Sequence, residues 1–161
     1  MNDIKDARCL TLEGAQKALA AAIAHATQIA RPMCIAVVDP GGNLLAFARM
    51  DGSKALSVIS STNKAITAAL SGEPTGGAPA DVELQIAMAS DCRWTNLLGG
   101  LPIKVNGFVV GAIAAGSGTG SQDLAAARAG ARAIEGADLF EDFVPMGAED
   151  TGAFRGMRPC E

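Results

Sequence analysis

Two segments constrain the fold of this chain more than the rest of it. Val37–Ser53 reads VVDPGGNLLAFARMDGS, and Gly99–Asp123 reads GGLPIKVNGFVVGAIAAGSGTGSQD. In each, an apolar run of strand length meets a tight turn and returns as a second apolar run. Asp39-Pro40-Gly41-Gly42-Asn43 makes the first turn: proline sets one φ and glycine admits positive φ. Asn106-Gly107 makes the second, because both residues tolerate the left-handed backbone of a short hairpin. Hairpins build antiparallel sheets, which sets the fold apart from a parallel doubly wound one.

Helical patterns separate the hairpins. Thr11 can cap a first helix, with Glu13 in its first turn and an apolar stripe of Leu12, Ala15, Leu19, Ile23, Ala26 and Ile29. Arg31-Pro32 ends it. A second helix is predicted over 54–70, capped by Asp51 or Ser53, with Val58, Thr62, Ala65, Ile66 and Ala69 turned inward. Residues 71–79 read as loop, and 81–90 as a segment that can form a short helix capped by Asp81. A last helix is predicted over 121–134, capped by Ser121 and small-sided at Ala125, Ala127, Ala129, Gly130 and Ala133. Leu139, Phe140, Phe143, Val144 and Met146 can then cover a remaining apolar edge. The expectation is an α+β domain over 1–146, an antiparallel sheet of about five strands flanked by helices. Residues 147–161 follow as a tail without hydrophobic period.

Composition narrows the class. The chain has 161 residues, enough for one domain with a real core. Aromatics are 4%, with no Tyr and the single Trp94, so the core is aliphatic and helices must approach closely. The net charge of −4, with 13 scattered basic residues, argues against nucleic acid as a partner. No run approaches the ~20 apolar residues of a membrane span, and the first residues lack a signal-peptide pattern. Cys9, Cys34, Cys92 and Cys160 show no CxxC spacing, so neither a disulfide framework nor a zinc site is expected and the cytoplasm is the default.

Charged and glycine-rich positions cluster at the strand ends. Lys64 sits among Ala65, Ile66, Ala68 and Ala69. A buried ammonium needs a partner, with Asp39 and Asp51 as the choices, or an anionic ligand, or it serves as a desolvated base or nucleophile. Arg49 offers a planar fork to a carboxylate of protein or ligand. Asp39 either ties up its own turn or faces a ligand. The loop Gly116-Ser117-Gly118-Thr119-Gly120 opens a helix whose amides and dipole favour an anion, unless Asp123 already satisfies them. That loop is neither GxGxxG nor a Walker A motif, so a nucleotide is not expected. Gly99-Gly100 either admits close approach of a ligand or subunit, or forms a bulge. Candidate catalytic residues are therefore Lys64 and Asp123. Candidate ligand-binding residues are Arg49, Asp39, Gly99, Gly100, Ser117, Gly118 and Thr119. His25 is the only histidine, so a multi-histidine metal site is excluded within one chain; it is a packing residue, a lone base or an axial haem ligand.

The ordered pieces VVD-x-GG-N-L, R-M-D-G, K-A-x-T-A-A, P-T, G-G-x-P-I, V-G-A-I and G-S-G-x-x-x-x-D resemble the GlcG/HbpS family, also described as a haem-degrading domain or DUF336. The likeness runs from about Leu10 to Leu139. It implies a profilin-like α+β domain, a small-molecule pocket in some members, and a homo-oligomer from dimer to octamer. With the residues above it leaves a purely structural oligomerisation module and two functional readings. One is an accessory or sensing binder of haem or a related tetrapyrrole. The other is a cofactor-independent lyase, isomerase or hydrolase acting on a small carboxylate held by Arg49 and the 116–120 loop. The chain departs from the family pattern at AAGSGTGSQD and at SDCRWTNLLGG, which carries Arg93 and Trp94.

Overall fold

The computed structural model describes residue 3 and residues 7–146. The expected tail, with Cys160, lies outside the described residues. The element order is α1 (Leu12–Gln28), β1 (Cys34–Val38), β2 (Leu44–Arg49), α2 (Ser57–Ser71), α3 (Ala80–Ala89), β3 (Gly100–Val105), β4 (Phe108–Gly116) and α4 (Gly120–Arg132). The fold is α+β, with one antiparallel sheet of four strands in the order β2-β1-β4-β3. This is one strand fewer than the sequence suggested. In place of a fifth, a single bridge joins Val105 to Ala137 at the β3 edge. There Asp138 N donates to Lys104 O at 2.9 Å, and Arg128 holds the carbonyls of Leu139 and Phe140. Leu139, Phe140 and Phe143 pack on the core as expected, whereas Val144 and Met146 are exposed.

The sheet lies between two helical layers. Ile35, Val37, Leu101, Ile103 and Ile113 face α1 and α4. Ala36, Val38, Ala112 and Ala114 face Ala65, Ala68 and Ala69 of α2. Each buried Ile or Leu side chain contributes about 1.5–3 kcal/mol relative to exposure.

The buried stripe of α1 differs from the expected one. It is Ala15, Ala18, Ala22 and Ala26, while Leu12 and Ile29 are exposed. Close helix contact explains the choice of alanine. A Cβ added at Gly130 of α4 would lie 2.8 Å from the Ala18 carbonyl oxygen, so α1 and α4 touch almost backbone to backbone. On α2 the inward face is Ser57, Ser61, Lys64, Ala65, Thr67, Ala68 and Ala69, more polar than the apolar periodicity predicted. Neither Asp51 nor Ser53 caps this helix. It begins after Leu56 without a side-chain cap, because a tight turn over 54–57 takes its first amide. Thr11 caps α1, as expected.

Candidate functional site

At one end of the sheet β4 runs out at Gly116 and the chain turns into α4. Ser117 carries the turn at φ 93°, a strained value for a residue with a side chain, and its Oγ accepts from Lys54 N at 3.0 Å. Thr119, not Ser121, caps α4: its hydroxyl accepts from Gln122 N, and Gln122 Oε1 accepts from Thr119 N, a reciprocal capping box. Gly118 N donates to Asp123 Oδ1 at 2.9 Å. The amides of Gly118 and Thr119, offered by the sequence to an anion, are therefore taken by the protein's own side chains.

Asp123 meets Lys64 here. Lys64 Nζ lies 2.8 Å from Asp123 Oδ2 and 3.0 Å from the Ala115 carbonyl oxygen. The partner of Lys64 is thus neither Asp39 nor Asp51. Lys64 is 4% exposed and Asp123 3%, so the pair is closed to bulk water. Burial pushes the Asp123 carboxyl above its ordinary value, against the downward pull of Lys64, the Gly118 amide and the more distant Lys54.

Gly99 and Gly100 make this meeting possible. A Cβ at Gly99, where φ is +122°, would stand 2.5 Å from Asp123 Cβ and 3.1 Å from Lys64 Nζ. A Cβ at Gly100 would stand 2.5 Å from the Lys64 carbonyl oxygen. The room left by these glycines is filled by Lys64 and Asp123 themselves. Thr75, unassigned by the sequence reading, clamps Gly100 from both sides: its hydroxyl accepts from Gly100 N at 2.8 Å, and its own N–H donates to Gly100 O at 3.0 Å.

Arg49 lies opposite Cys34, which lies opposite Gly116, so it shares this end of the sheet at roughly 10 Å from Gly116 across two strand spacings. Directly opposed residues share a face, and Cys34 Sγ reaches Ser53 Oγ and Lys54 O on the α2 side. Arg49 is exposed and forms no ion pair among the described residues. On the same face, Ser57 Oγ is buried with no hydrogen-bond partner, its Cβ close over Gly116. Ser57 and Lys54 were not singled out in the sequence. The signal was available in the polar spacing Ser53, Ser57, Ser61 and Lys64, which puts hydroxyls on a helix face that should have been apolar.

Asp39 is not brought to this group, because the first hairpin reverses at the far end of β1. Asp39 Oδ1 accepts from Gly41 N at 2.8 Å and Asn43 N at 2.9 Å, and Asn43 Nδ2 reaches both its oxygens. The Asn43 side chain and amide hold its carboxyl below the ordinary value. His25 is half-buried in the last turn of α1, on the opposite face of the sheet from Arg49.

This geometry can be set beside known proteins. The family model described as "Haem degrading protein HbpS-like" matches residues 10–132. The chain belongs to the HbpS-like family. It is 35% identical over 128 residues to an uncharacterised 15.0 kDa protein of the dhaT–dhaS intergenic region of Citrobacter freundii, covering 76% of this chain and 90% of that one. It is 40% identical over 80 residues to Protein GlcG of Escherichia coli K12, covering 49% of this chain and 60% of GlcG. Among solved structures, Klebsiella pneumoniae ORFY superposes with TM-score 0.76 at 30% identity, over 83% of this HbpS-like chain and 95% of that one. A double mutant of Streptomyces reticuli HbpS superposes with TM-score 0.75 at 32% identity, over 83% and 92%. A PduOC:heme complex shares the fold, with TM-score 0.74 at 20% identity over 81% and 98%. No helix among the described residues is long and apolar enough to cross a membrane.

Proposed function

We propose that this chain is a small-molecule binding protein that holds haem or a related tetrapyrrole in an accessory or sensing role. The family match over residues 10–132 motivates the ligand class. The observation that favours binding over turnover is the closure of the Lys64–Asp123 pair. Both carboxylate oxygens and the ammonium have protein partners, so neither Lys64 nor Asp123, the two candidate catalytic residues, stands free as the base that proton transfer requires. Among the residues present, His25 would hold the iron: it is half-buried and its ring has no partner among the described residues. Haem would supply its iron and its Soret absorption there. Haem titration of the purified protein tests this reading. A Soret band that shifts in His25→Ala supports it; a band that is absent, or identical in the variant, defeats the assignment of His25.

A second reading is an enzyme of lyase, isomerase or hydrolase type acting on a small carboxylate. The unpaired Arg49 and the orphan hydroxyl of Ser57, on one face of one sheet end, favour it. Saturable binding of hydroxy or aromatic acids that weakens in Arg49→Ala, without any Soret band, would select it. The homo-oligomer that the family resemblance implies joins the proposal, and sedimentation of the full chain measures it.

A further inference from the structure

A cleft lies away from the sheet end, between α3 and residues 94–96. It has a volume of about 280 Å³ and is lined by Ala80, Glu83, Leu84, Ala87, Trp94 and the segment that follows it. One wall is fixed. Trp94 N donates to Ser90 Oγ at 3.1 Å, Thr95 N to Thr67 Oγ1 at 3.0 Å, and Asn96 pairs with both backbone groups of Ala78 at 3.0 Å. The other wall is one face of α3, since positions 80, 83, 84 and 87 fall on one side of a helix. No residue of α3 is buried, so the helix does not close down on that wall.

The chemistry of the lining is specific. Glu83 is the only charged residue in it, and the small side chains of Ala80 and Ala87 flank it. It has no ion pair among the described residues. Trp94, the only tryptophan of the chain, presents a half-buried indole to the same space. A carboxylate and an indole border one small cleft whose remaining lining is apolar at Ala80, Leu84 and Ala87 and neutral polar at Thr95 and Asn96, a combination that attracts a cation carrying an apolar body. An anion is disfavoured by Glu83, and a purely polar ligand would leave the Leu84 and Trp94 surfaces unused. We propose that the cleft between α3 and Trp94 binds a small organic cation, an ammonium group on an apolar or aromatic body, with Glu83 as counter-ion and Trp94 as the ring beneath it.

Trp94 is also the reporter, because all indole fluorescence of the chain comes from it. The full-length protein is titrated with benzylammonium, with the neutral benzyl alcohol and with benzoate, at constant ionic strength. Benzylammonium should give a saturable change in Trp94 fluorescence and bind about tenfold more tightly than benzyl alcohol, with benzoate weakest. Glu83→Gln should remove most of that preference, while Glu13→Gln, a control for the general negative charge of the chain, should not. Circular dichroism of each variant shows that it is folded. Equal binding of the alcohol and the ammonium overturns the proposal, as does an unchanged preference in Glu83→Gln or the lack of any saturable signal. His25 and the Soret readout play no part in this experiment, so its failure is separate from failure of the tetrapyrrole reading.

Discussion

Asp39 and Asp123 do the same local job in opposite surroundings. Each carboxylate gathers backbone amides where a strand has ended: Asp39 those of Gly41 and Asn43, Asp123 that of Gly118. Asp39 is reached by water, and its hydrogen bonds pull its pKa down. Asp123 is buried, and loss of water pushes its pKa up even with Lys64 at 2.8 Å. The same residue type at the same kind of position is thus stabilised as an anion by one turn and penalised as an anion by the other. Hydrogen bonding decides at the surface, and desolvation decides inside.

Removing each carboxylate should break this comparison most sharply. Asp123→Ala leaves the Lys64 ammonium buried without its counter-charge and should cost about 3–5 kcal/mol in urea unfolding. Asp39→Ala should cost no more than about 1 kcal/mol, because water replaces the lost bonds. A similar loss in both would mean that the buried pair is as replaceable as the surface turn. The glycines beside each carboxylate come next. Gly99→Ala meets Asp123 and strains a φ of +122°, at roughly 2–4 kcal/mol. Gly41→Ala meets only the movable ends of the Asn43 and Asp39 side chains and should stay within about 0.5 kcal/mol.

The smallest effect sharpens the contrast through pH. The folded-state pKa of Asp39 lies below its unfolded value. Its contribution is therefore fully present above the unfolded pKa and fades as pH falls through the folded one. For Asp123 the folded value is the higher one, so the folded state holds the proton longer. Its contribution is greatest below the unfolded pKa and declines as pH rises toward the folded value. Urea midpoints followed through the carboxylate range should show wild type gaining on Asp39→Asn with rising pH and losing ground against Asp123→Asn. Parallel curves would show that the two sites titrate alike.

What could be read from the sequence was what neighbours along the chain decide. The turns at Asp39–Asn43 and Asn106-Gly107 and the cap at Thr11 depend on a few adjacent residues, whereas α1 stops at Gln28, short of the expected Arg31-Pro32, as Ala30 turns left-handed at φ 50°. Helix faces were harder, because hydrophobic periodicity favours large side chains. The α1–α4 contact instead selects alanine through backbone proximity, so Leu12 and Ile29 were expected inside. The pairing of Lys64 with Asp123 spans 59 positions and two layers, and only strand order brings those residues to one sheet end. Asp39 and Asp51 were nearer along the chain and were the wrong choices for that reason. The need of Lys64 for a partner was legible; the address was not.

Lys64 comes from the helix on one side of the sheet and Asp123 from a helix on the other. Their bond acts as a rivet through the end of the sheet, fastening both outer layers at a single point. Neither layer can peel away alone without stranding a charge in a dry interior. Heating should therefore take the whole molecule apart in one step, and a variant without the rivet is where two separate melting events would first be seen.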